Sequence, residues 1–110
     1  MQKIDIKLKI NDYNIEEEGI IENNILKVKT DKEYIEYDLN NNILLKEDKD
    51  LKIEMDFINK EIKYHLLKEN KIFSNFFNII SLTNNDKKVI INYQIEQTSF
   101  LLEIEYKQKV

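Results

Sequence analysis

Few residues in this chain could do chemistry. His65 is the only histidine. It lies between Tyr64 and Leu66 in an alternating stretch, so it is expected to point outward from a strand. A general base needs an orienting partner and a nucleophile, and its sequence neighbours offer neither. Glu16, Glu17 and Glu18, and the run Glu47-Asp48-Lys49-Asp50, carry oxygens of the kind that bind calcium. Their spacing matches no EF-hand loop and a lysine interrupts the second run, so both read as solvated charge. With 21 acidic residues some pair of carboxylates always lies close, and such a pair points to no hydrolase. The absence of cysteine excludes disulfides, thiolate metal sites and cysteine nucleophiles. None of the serines sits in a Gly-x-Ser-x-Gly elbow, and a single glycine cannot form a phosphate cradle. The expectation is a non-enzymatic protein with no metal and no cofactor.

Two apolar sets stand out instead. Tyr37, Tyr64 and Tyr93 fall on apolar strand faces together with Met55. Tyrosine is large and amphipathic and methionine adapts to shape, so the four could line a site for a small apolar ligand. The plainer alternative, favoured over the pocket, is that they are core residues whose hydroxyls reach water at a barrel mouth. Phe73, Phe76 and Phe77 form the most apolar local cluster. Exposed, they would be an interaction patch; buried, they would plug the bottom of a barrel, which is the expectation here.

Strands must position these residues. Ile4, Ile6, Leu8 and Ile10 alternate with charge, the mark of a strand with one buried face. A weaker strand runs from Ile15 to Ile21, with Gly19 expected at a bulge. Leu26, Val28, Ile35 and Tyr37 form a hairpin in which Val28 faces Ile35 and Leu26 faces Tyr37. Asn40–Asn42 forms the next turn, followed by a short strand from Ile43 to Lys46. A second hairpin is expected to set Phe57 against Ile62, Met55 against Tyr64 and Ile53 against Leu66. Phe76–Leu82 reads as a strand, with Ile72–Asn75 open between strand and short helix. The last hairpin spans Val89 to Tyr106. With Gln97 and Thr98 at its turn, Ile95 faces Phe100, Tyr93 faces Leu102, Ile91 faces Ile104 and Val89 faces Tyr106.

Short even spacing and no long helical pattern predict an all-β antiparallel meander. The amphipathic first and last strands predict its closure into a small barrel of about eight to ten strands. At 110 residues this is one domain. The net charge of −4 and scattered lysines exclude a nucleic-acid partner. Charge on the second face of the first strand, at Asp5, Lys7 and Lys9, excludes a membrane barrel, and the opening residues resemble no signal peptide, so a cytoplasmic protein is expected. Richness in Lys, Asn and Ile, with no Arg, Ala or Pro, suits an AT-rich bacterial genome.

The closing pattern VIINYQIEQTSFLLEIEY from Val89 to Tyr106, the preceding NIISLT from Asn78 to Thr83 and the opening KIDIKLKI resemble the YwiB-like family. These are small uncharacterised bacterial proteins with a lipocalin-type (calycin) barrel. The chain departs from them in its shortness and in lacking the glycines that usually precede their last strands. The resemblance implies a lipocalin-like barrel without an established activity. Two functions follow as expectations: a non-enzymatic barrel binding a small apolar ligand inside, or a protein-interaction or homodimerising β module with a filled core.

Overall fold

Strict alternation of apolar and polar side chains, with asparagine-rich breaks, makes almost the whole chain extended. The structure, a computed structural model, describes residues 1–109. Its strands are β1 (Gln2–Ile10), β2 (Tyr13–Glu22), β3 (Ile25–Lys29), β4 (Tyr34–Asp38), β5 (Ile43–Glu47), β6 (Leu51–Asp56), β7 (Glu61–Leu66), β8 (Lys71–Phe76), β9 (Asn78–Asn85), β10 (Lys88–Ile95) and β11 (Thr98–Gln108). They form one antiparallel sheet ordered β8-β7-β6-β5-β4-β3-β2-β1-β11-β10-β9. The first and last strands pair, Ile6 opposite Tyr106 and Leu8 opposite Ile104. Among the described residues no helix is long and apolar enough to cross a membrane.

The sheet nearly closes on itself. Its two edges, β8 and β9, are consecutive in the chain with only Phe77 between them. Every pairing along the sheet is antiparallel, and ten steps separate these edges, so they run in the same sense. The stretch 71–85 therefore behaves as one long strand that bonds to β7 in its first part and to β10 in its second. This raises the count to 11, above the eight to ten expected. The strand expected over Phe76–Leu82 is broken at Phe77, and the open stretch Ile72–Asn75 belongs to β8.

Two hairpin registers differ from expectation by two residues. Asp56 pairs with Glu61 across a four-residue loop, so Met55 faces Ile62 and Ile53 faces Tyr64. Ile95 pairs with Thr98 across Glu96 and Gln97, so Tyr93 faces Phe100, Ile91 faces Leu102 and Val89 faces Ile104. A shift of two keeps the same residues on the same face, so apolar alternation cannot detect it. The β3–β4 hairpin has the expected pairs. Gly19 is not a bulge: β2 pairs with β1 without interruption there. A Cβ on Gly19 would lie 2.5 Å from the Lys27 carbonyl oxygen, so glycine is needed where β3 approaches β2. The bulge falls instead in β9, where Ile80 is the extra residue opposite Asn92 and Tyr93.

One end of the barrel is built from a repeat. Left-handed residues Asn24, Asn42 and Lys60 recur every 18 residues, with φ of 63°, 54° and 62°. The segments before the last two read Ile35-Glu36-Tyr37-Asp38-Leu39 and Ile53-Glu54-Met55-Asp56-Phe57. The Asp38 carboxylate accepts the amides of Asn40 and Asn41, and that of Asp56 the amides of Ile58 and Asn59. These bonds turn the chain. The Asn41 side chain, foremost, holds the Asp38 carboxyl below the usual carboxylate range. Each turn is then stitched to the previous one: the amides of Leu39, Phe57 and Phe77 donate to the carbonyls of Asn24, Asn42 and Lys60 at 2.9, 3.0 and 3.0 Å. Phe76 stands where Asp38 and Asp56 stand. It has no carboxylate to turn the chain, and the chain runs on as β9.

Candidate functional site

The four residues expected to line a pocket do come together. Tyr37, Met55 and Tyr93 are buried in the core, and Tyr64 packs against it. Their surroundings are occupied by rings. Phe57, from the repeat turn, sits 6.5 Å from Tyr37, 5.6 Å from Phe77 and 5.4 Å from Tyr93, ring centre to ring centre. Tyr93 also stacks on Phe100 at 5.2 Å. Tilted, edge-on and offset contacts at these distances are those of a packed core. The Tyr37 hydroxyl donates to Asn42 Oδ1 at 2.9 Å, and Asn84 Nδ2 donates to the same oxygen and to the Leu39 carbonyl, both at 2.9 Å. Burial, and the Tyr64 phenol nearby, push the Tyr93 hydroxyl up to about 12. Two surface hollows, of about 470 and 460 Å³, are lined by Asp5, Lys7, Glu16, Glu105 and neighbours, and by Tyr13, Lys29, Glu33 and neighbours. Neither reaches the four.

The phenylalanine cluster divides. Phe77 is buried and plugs the end of the barrel against Phe57 and Tyr93, as expected. Phe73 and Phe76 are not part of the plug: they are 53% and 70% exposed, and Ile72 beside them is 66% exposed. The register explains the division. Phe73 is opposite Tyr64 and faces inward, but on an edge strand of which every residue is exposed. Ile72, Ser74 and Phe76 face outward beside His65, Lys63 and Glu61.

The backbone of β8 is also half unpaired. The Phe77 amide bonds the Lys60 carbonyl, continuing the β7–β8 ladder. Bonding alternates along an antiparallel pair, so Asn75, Phe73 and Lys71 turn their backbone groups toward β7. Ile72, Ser74 and Phe76 turn theirs to the free edge. There the Phe76 amide is held only by the neighbouring Asn75 Oδ1 at 2.9 Å.

The polar candidates are spread apart. His65 Nε2 meets Asn70 Oδ1 at 3.0 Å on the outer face. Asp48 accepts the amides of Asp50 and Leu51 in a turn, and Asp50 pairs with Lys68 at 3.2 Å. Glu16 pairs with Lys7 and Glu18 with Lys109, at 3.6 and 2.6 Å. Beside the second hollow, Lys46 lies 4.3 Å over the Tyr13 ring and 3.3 Å from Glu33, and the buried Tyr13 hydroxyl has no partner. Sequence reasoning put Phe57 opposite Ile62 in a hairpin and Asn42 in a turn, and assigned neither of them, nor Asn84, to a site. The signal that finds the first two is the 18-residue recurrence of the turns; Asn84 joins them only through a contact 42 residues away. No family model, curated protein or solved structure matches the chain.

Proposed function

We propose that this chain is a non-enzymatic protein-interaction module that docks through the free edge of β8, with its interior filled by its own side chains. The observation that carries the reading is the edge itself. It combines unpaired backbone groups with exposed Ile72, Phe73 and Phe76, and it contains no carboxylate. Soluble chains ordinarily blunt such an edge with charge, proline or a bulge; beyond Lys71 at its start, β8 carries none of these from Ile72 to Phe76, and such an edge is the usual seat of strand addition. A small apolar ligand would need room beside Tyr37, Met55, Tyr64 and Tyr93, where Phe57 and its ring neighbours already pack. The packed rings favour the interaction reading over a ligand-binding lipocalin-like barrel. The reading needs no cofactor.

The test is native mass spectrometry and thermal melting of the wild type and of the double variant Ile72→Lys, Phe76→Lys. The wild type is expected to carry no small added mass, and the variant to melt within a few degrees of it, since exposed side chains kept for docking contribute little to folding. A reproducible small added mass on the wild type, or collapse of the variant, overturns the proposal.

A further inference from the structure

Resting on that reading, we infer that the partner of β8 is β8 of a second copy, paired antiparallel about a two-fold axis through Ser74. The argument begins with the backbone. Ile72, Ser74 and Phe76 present their N–H and C=O groups at the edge, so a partner strand must offer groups at the same alternate spacing. A second β8 does. With Ser74 opposite its copy, Ile72 falls opposite Phe76 of the other chain and Phe76 opposite Ile72. Every outward group of β8 then meets another. Shifting the axis to Phe73 or Asn75 carries Phe76 or Ile72 past the end of the partner strand and leaves it unmatched.

Side chains and charge agree with this register. On the outer face the exposed Ile72 and Phe76 of the two copies cover each other, and the small Ser74 sits at the axis where the two strands cross. On the inner face Phe73 lies opposite Asn75. The strand's single charge, Lys71, faces no other charge, because in this register it falls opposite Phe77. Lys63, beside Ser74 on β7, already has Glu61 at 3.5 Å. Strands stand roughly 5 Å apart, so the two Lys63 backbone positions, three spacings apart, are separated by about 14 Å, beyond the screening length at physiological salt. Phe76 exchanges the Asn75 side chain for a backbone partner. The interface is isologous and closes at two copies, joining both sheets edge to edge. The other edge cannot do this: in β9 the Ile80 bulge breaks the ladder and Asn84 ties the strand's end to the β4–β5 turn.

The described residues contain no cysteine, and neither does the rest of the sequence, so a single introduced thiol reports its own surroundings. Ser74→Cys and Ser81→Cys are both exposed serines on edge strands. The full chain is treated with a short bis-thiol reagent across a concentration series, with light scattering of the untreated samples alongside. The expected result is a concentration-dependent dimer, cross-linked through Ser74→Cys at least tenfold faster than through Ser81→Cys, and both signals lost when Ile72→Lys is added. A chain that stays monomeric at all concentrations overturns the inference and leaves β8 to a different protein partner. A dimer that cross-links no faster through Ser74→Cys overturns this register and axis while docking at an edge stands. The melting curve of each variant identifies any that fails to fold, and Ser74→Thr, which keeps the polarity and should still dimerise, guards against a null cysteine variant.

Discussion

The two edges of this sheet, β8 and β9, belong to one stretch of chain and have opposite fates. In β9 the inward residues Ile79 and Leu82 lie against the core, opposite Tyr93 and Ile91. Its ladder is broken by the Ile80 bulge, and Asn84 bonds across the barrel to Leu39 and Asn42. In β8 every residue is exposed, the ladder is regular, and nothing crosses to it. The two strands have similar apolar content, so composition does not separate them. What separates them is whether an opposite wall stands within reach. β9 lies across the row of stitched turns, from Lys60 near Phe77 to Asn42 near Asn84. No residue of β8 is buried against that wall.

The comparison is broken most forcefully through the strands that support β9. Ile91 is fully buried between Leu82 and Leu102. Ile91→Asp buries an unpaired charge and is expected to cost about 4 kcal/mol or more, enough to unfold much of the population in a thermal melt. Asn92→Asp, one residue on, loses a single surface hydrogen bond to Ser81 and should melt close to the wild type. If both behave alike, the facing of β10 is wrong. A second contrast sets the wall against the rim. Phe57→Ala empties the centre of the ring cluster and is expected to lower stability by about 3–5 kcal/mol, whereas Phe73→Ala should change it by less than about 0.5 kcal/mol, both read by denaturant unfolding. Equal losses would mean that the inner face of β8 is packed after all. The smallest effect sharpens the picture of β9. Asn84→Ala removes the tie to Leu39 and Asn42, at a cost of about 1 kcal/mol. The amides of β9 should then exchange faster with deuterium while those of β10 stay protected. Unchanged exchange in β9 would show that the bulge alone manages this edge.

Much of this was legible in the residues. Ile4, Ile6, Leu8 and Ile10, and Val89, Ile91 and Tyr93, declare strands and their buried faces by alternation alone, and the first-to-last pairing of β1 with β11 follows from two amphipathic ends with short connections. The hairpin offsets at Asp56–Glu61 and Ile95–Thr98 were not legible, because a shift of two leaves each residue on its face and only the turn decides the count. The plug was half legible. Phe73, Phe76 and Phe77 look alike in sequence, and helical spacing from Ile72 to Ile80 obscures the strand. Alternation read Phe57 as an inward strand residue opposite Ile62; it is buried, but in the loop after β6, and its ring contacts with Tyr37, Phe77 and Tyr93 come from elements that alternation does not bring together.

By itself the sequence determined the class of fold, most of the strands and the faces they bury, and roughly where the chain turns. These are local matters: a period of two, β-branched and aromatic residues, and Asn or Asp where backbone bends must be satisfied. The tertiary structure alone decided that Phe76 fails to turn the chain, that Phe77 closes the barrel, that Tyr37, Met55 and Tyr93 are buried, and that β8 keeps a bare edge. Each depends on which distant element stands opposite, and burial of an apolar side chain is settled by contacts far away in sequence, not by its own neighbours.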